Sequence, residues 1–110
     1  MGVTRTHLFT EEQNELARIA KVLAHPARIA ILQHLTEYNA CYNGDLVQEL
    51  GLAQATISQH LRELKDLGIL QGTIEGVSVS YCINKDKWKE IKERLEKFLD
   101  IPMIKDSNCC

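Results

Sequence analysis

The sequence predicts a mainly α-helical chain with one β-hairpin (an α+β arrangement), in the order α-α-α-α-β-β-α. Three observations carry that prediction. Apolar residues recur at spacings of three and four across the first two thirds of the chain. A stretch rich in β-branched residues then runs over residues 69–83, split by Gly76. Helical spacing returns in Trp88, Ile91, Leu95 and Phe98, with charged residues on the opposite face.

The first helix starts near Thr10. Thr10-Glu11-Glu12-Gln13 fits a capping box, in which the hydroxyl accepts from the third backbone N–H and Gln13 reaches back. Leu16, Ile19, Ala20 and Leu23 follow at helical spacing. His25-Pro26 breaks the helix, because the residue before proline avoids the α region. Pro26 suits the first turn of a second helix. Ile29, Ile31, Leu32 and Leu35 make that helix strongly apolar and place it at the centre of the fold. Thr36 to Asn43 reads as a connection. Asn43 caps a short third helix with Leu46, Val47 and Leu50 inward, and Gly51 ends it. The fourth helix, Gln54 to Leu67, carries Ile57, Leu61, Leu64 and Leu67 in one stripe, and Gly68 closes it. Ile69 to Glu75 and Val77 to Ile83 form the hairpin. Asn84 caps the last helix, and Pro102 stops it.

At 110 residues the chain is expected to hold one domain, residues 1–100, followed by a flexible C-terminal tail, 101–110, that carries a cysteine pair. Apolar residues at 45% and charged residues at 25% exclude disorder as a reading of the whole chain. No apolar run approaches the ~20 residues that span a bilayer. Met1 to Thr10 lacks the charged-then-apolar order of a secretory signal, so a cytoplasmic location with no membrane partner is expected. A formal charge of -2 and a pI of about 6.1 run against a uniformly basic nucleic-acid binder. The position of the positive groups then matters more than their sum. No Gly-rich phosphate loop and no nucleophile–base–acid spacing is present, so neither an enzyme nor an organic cofactor is expected.

A short helix, a glycine turn and a second amphipathic helix make a helix-turn-helix, and the hairpin straight afterwards makes it winged. The outward face of the second of these helices is read as Gln54, Thr56, Ser58, Gln59, His60, Arg62 and Lys65. Amides pair with adenine edges and arginine with guanine or phosphate. Hydroxyls suit phosphate oxygens and position the helix without reading sequence. A polar exterior is common on any solvated helix. The order helix, turn, helix, hairpin is what points this face at double-stranded DNA.

Leu23-Ala24-His25-Pro26-Ala27-Arg28 through Ile31-Leu32 resembles the second-helix signature of ArsR/SmtB-type repressors. Leu52-Ala53-Gln54-Ala55-Thr56-Ile57-Ser58-Gln59-His60-Leu61 is similar to their recognition helix. Leu64-Lys65-Asp66-Leu67-Gly68-Ile69-Leu70 is similar to their exit into the wing. The resemblance covers nearly all of residues 10–99. It implies a winged helix-turn-helix homodimer that represses transcription from an operator until a metal ion or another inducer releases it. It also implies that the first and last helices form the dimer interface. Leu16, Ile19 and Leu23 would serve there, with Trp88, Ile91, Leu95 and Phe98, although the same stripes also fit packing within one subunit. The wing departs from the family pattern, since Glu75-Gly76-Val77-Ser78 stands where family wings often carry arginine.

The family's metal sites can be checked in turn. The last-helix zinc site needs histidines, and residues 85–99 contain none. The third-helix arsenic site needs a Cys-x-Cys pair, and only Cys41 is nearby. Cys109 and Cys110 lie ten residues beyond Leu99, and an extended chain of that length reaches up to ~35 Å. Cys41, Cys109 and Cys110 could therefore form a soft trigonal thiolate site, suited best to As(III) and also to cadmium, lead or copper(I). Some arsenic-responsive members of the family use relocated cysteines. Cys82, in the second strand, is expected to be a buried and inert thiol. His7, His25, His34 and His60 show no ligand spacing, and no CxxC pairs suggest structural zinc. Two other readings fit the same residues. One is a repressor that senses oxidants or sulfide through its thiols, and the other is a winged helix used only as a protein-interaction module.

Overall fold

The computed structural model describes residues 6–38, 51–75 and 78–103, without the side chains of residues 6, 38, 54, 73–75 and 78–79. After a 3-10 turn at Thr6–Leu8 come helices α1 (Glu11–Leu23), α2 (Pro26–Tyr38) and α3 (Gln54–Leu67). An antiparallel hairpin of β1 (Leu70–Glu75) and β2 (Ser78–Ile83) follows, and α4 (Lys85–Leu99) ends the fold. The helix expected between Asn43 and Gly51 lies outside the described residues, as do the wing tip at 76–77 and the tail beyond Met103.

Local chemistry sets these boundaries. Thr10 Oγ1 accepts from the Gln13 N–H and Gln13 Oε1 accepts from the Thr10 N–H, both at 3.0 Å, so the capping box closes in both directions. Pro26 opens α2 where its missing N–H costs nothing. His25 caps that helix: its Nδ1 accepts from the Ala27 N–H at 3.1 Å, and its carbonyl accepts from Arg28 and Ile29. Gly68 ends α3 at φ 96°, a left-handed turn that suits glycine, and its N–H donates to Lys65 O. Asn84 Oδ1 accepts from the Lys87 N–H at 3.2 Å and starts α4.

The core draws on every described helix and strand pair. Ile19 and Val22 come from α1, Ile31, Leu32 and Leu35 from α2, and Ile57, Leu61, Leu64 and Leu67 from α3. Ile69 just before the hairpin covers it together with Leu70 and Tyr81 of the hairpin, and Ile91 from α4. Burying each large aliphatic side chain contributes roughly 1.5–3 kcal/mol. Two details differ from the sequence reading. Val22 rather than Ala20 turns inward on α1, and Ile29 on α2 stays 40% exposed.

In the hairpin, Gly72 pairs with Tyr81 and Gln71 with Cys82. Gly72 has φ 142°, and a Cβ there would run into the Ser80 carbonyl oxygen. Close backbone approach therefore requires glycine. Tyr81 is fully buried and its hydroxyl finds no partner among the described residues. Burial pushes its phenol pKa up, against the pull of Arg62. Cys82 points to the opposite face from Tyr81, opposite exposed Gln71. It is half-buried and disulfide-bonded, which corrects the expectation of a buried, inert thiol.

Candidate nucleic-acid interface

The apolar stripe of α3 faces the core, so its remaining faces are left to solvent. Thr56, Gln59, Arg62 and Lys65 are exposed, and Ser58 is half-buried beside them. Gln54 opens the helix at a position whose side chain is not described. The first turn holds no acidic residue, and Ala53 at the N-cap supplies no side-chain acceptor. The N-terminal amides of α3 are thus left uncapped by a side chain, at the end where the helix dipole favours an anion such as phosphate. Gln59 Nε2 donates to Glu63 Oε1 at 3.1 Å, which holds the amide along the helix one turn from its start.

His60 does not belong to this face. It is 6% exposed and sits between α2 and α3. Its Nδ1 accepts from Arg28 Nε at 3.0 Å, and its ring centroid lies 4.3 Å from that of His25. The helical geometry explains the correction. His60 follows Ile57 by three residues and precedes Leu64 by four, which puts it inside the apolar arc. That spacing was visible in the sequence, but the polarity of histidine masked it.

Two arginines from other helices fix the pose of α3. Arg18 Nη2, on α1, donates to the Asp66 carbonyl at 2.9 Å, at the C-terminal end of α3 where cations are favoured. Arg28, on α2, donates from Nη1 to the Val22 carbonyl at 3.0 Å as well as to His60. Neither the Arg18–Asp66 nor the Arg28–His60 contact is visible in the sequence, because each joins residues more than thirty positions apart.

The expected dimer residues divide into two groups. Ile19 at 0% and Ile91 at 4% exposure are consumed by the core of this chain, so they are not free to meet a second copy. Leu16, Leu23, Trp88 and Leu95 are half-buried, and Phe98 is 52% exposed. An apolar groove of about 540 Å³ runs between α2 and α4, lined by Leu23, Ile29, Leu32, Trp88 and Leu95 among others. Arg94 holds α4 to α1 through Glu12 at 2.9 Å, beside its pair with Glu90 at 3.4 Å.

Cys41, Cys109 and Cys110, the expected thiolate ligands, lie outside the described residues. Among the described residues no group of three or more His, Cys, Asp or Glu side chains could hold a metal ion. No described helix is long and apolar enough to cross a membrane.

A hairpin that directly follows an amphipathic helix with an uncapped N-terminus and a polar outer face is the arrangement of a winged helix. The chain belongs to the arsR family of bacterial regulatory proteins, whose family model matches residues 25–71. It is 36% identical over 96 residues to the biofilm growth-associated repressor of Xylella fastidiosa, covering 84% of this chain and 83% of that one. It is 38% identical over 71 residues to the HTH-type transcriptional regulator CmtR of Mycobacterium tuberculosis, covering 64% of this chain and 59% of CmtR. The NMR structure of CmtR, a cadmium metal-sensor, matches at a TM-score of 0.51 and 31% identity, covering 86% of this chain and 96% of that one. NolR from Sinorhizobium fredii shares the fold at a TM-score of 0.60 and 22% identity, over 93% of this chain and 99% of that one. The family is one of transcriptional regulators that bind operator DNA, not of enzymes.

Proposed function

We propose that the chain is a cytoplasmic homodimeric repressor that releases its operator when a thiophilic metal or metalloid such as arsenite binds its cysteine thiolates. The observation that carries the DNA reading is the outer face of α3. Gln54, Thr56, Ser58 and Gln59 lie in the half that begins at the uncapped N-terminus, and Arg62 and Lys65 continue the polar face toward the C-terminal end. Amides and arginine read base edges there, and the hydroxyls and Lys65 contact phosphate. The half-covered apolar stripe of α4 and the groove beside it support a second copy as the other partner.

The inducer reading rests on Cys41, Cys109 and Cys110 and is supported by similarity to a cadmium sensor. Inducer binding would favour a dimer geometry whose recognition helices no longer match successive major grooves. A coupling of about 1–3 kcal/mol weakens operator binding about 5–150-fold. The test is a titration of the reduced protein with arsenite, followed by thiolate charge-transfer absorption in the near ultraviolet. Cys41→Ser and the Cys109→Ser/Cys110→Ser double variant are run beside it. A stoichiometric signal lost in both variants is the expected result. No signal in the parent protein removes the metalloid inducer.

A second reading is favoured by one observation: Cys82 is disulfide-bonded. Thiol oxidation rather than metal binding would then govern release. DNA that is released by peroxide or polysulfide, and kept in the presence of arsenite, would select it.

A further inference from the structure

His60 occupies a position that DNA contact does not explain. Arg28 Nε donates to its Nδ1, so the ring there is neutral with its proton on Nε2. The same guanidinium donates from Nη1 to Val22 O in the last turn of α1. One side chain thereby ties α1 to the middle of α3, and half of that tie exists only while Nδ1 carries no proton. Nε2 is buried with no partner among the described residues.

We propose that His60 is a proton-gated positioning residue for DNA binding: when neutral it locks α3 to α1 and α2 through Arg28, and when protonated it releases that lock. A proton taken from solvent at Nδ1 replaces the Arg28 hydrogen bond and sets two cations against each other. The groups that act on the ring are His25 just before α2, Arg28 from α2 and Glu63 from α3 itself. Burial first, then His25 and Arg28, hold its pKa below 6.5, while Glu63 pulls the other way. The unfolded chain therefore binds this proton at a higher pH than the folded one. The stability that the neutral ring supplies is complete above about pH 6.5 and is lost as pH falls from there to the lowered folded value. The DNA-competent pose itself is lost only as pH falls through the lowered folded value, where the ring in the folded chain takes up its proton. This signature is distinctive, since added positive charge on a DNA-binding surface tightens binding to phosphate.

The experiment uses the full chain and a duplex selected from a random-sequence library by the parent protein. Affinity is compared from about pH 7.5 to about pH 5.5, the range in which histidine titrates. His60→Gln offers an amide oxygen to Arg28 without titrating. The parent is expected to lose affinity on acidification. His60→Gln is expected to keep it or gain it, so that the two pH responses differ about tenfold or more per pK unit of coupling. Equal pH responses overturn the proposal. Nitrogen-15 NMR of the parent imidazoles provides a test independent of the variant. An Nε2–H tautomer that titrates below 6.5 supports the gate, and titration at or above 6.5 overturns it.

Discussion

Helices α3 and α4 carry the same sequence pattern, four apolar residues at helical spacing, but they are covered very differently. In α3, Ile57, Leu61, Leu64 and Leu67 are all at most 3% exposed. In α4 only Ile91 is buried, Trp88 and Leu95 are half covered, and Phe98 is 52% exposed. The pattern shows that a face is apolar, not what covers it. α3 is held between α1, α2 and the hairpin, so one chain consumes its stripe. α4 lies at the edge with mainly α1 beside it, and part of its stripe remains for another surface.

The largest effect is expected where coverage is complete. Leu61→Ala leaves a cavity in the core at a fully buried position of α3 and should cost about 2–5 kcal/mol in urea unfolding. A loss of under about 1 kcal/mol would mean that α3 repacks, and the contrast with α4 would weaken. The hairpin comes next. Gly72→Ala must push a methyl against the Ser80 carbonyl at a φ that alanine avoids. It should cost about 1–3 kcal/mol, and hydrogen exchange should speed up first in β1 and β2. Unchanged exchange there would refute the close approach of the two strands.

The contrast also explains what was legible in the sequence. Features set by a few neighbouring residues were readable: the Thr10–Gln13 box, Pro26 at a helix start, Gly68 at a helix end, Asn84 as a cap and the α3 stripe. Features set across the chain were not. Arg18 meets Asp66, and Arg28 meets Val22 and His60, only after the helices dock. Ile19 and Ile91 fit a dimer stripe equally well until the core claims them. Cys82 was misassigned because a two-stranded hairpin hides one face and leaves the other open, and the register of Tyr81 decides which. Among the candidate DNA residues with described side chains, His60 is buried in the core, and there the spacing was informative while its polarity misled.

Phe98→Ser should have the smallest effect on folding and the clearest effect on association. At 52% exposure Phe98 supports little of its own subunit, so stability measured at concentrations where both proteins are monomeric should change by no more than about 0.5 kcal/mol. If α4 meets a second copy, losing this ring should raise the dimer dissociation constant about tenfold or more in sedimentation, as about 1.4 kcal/mol requires. Ile91→Ala is the necessary contrast, because it should weaken the fold itself by opening the core beneath α4. Equal sedimentation of Phe98→Ser and the parent would separate α4 from dimer formation. The exposed part of its stripe would then be ordinary apolar surface, and the unequal coverage of the two helices would carry no functional meaning.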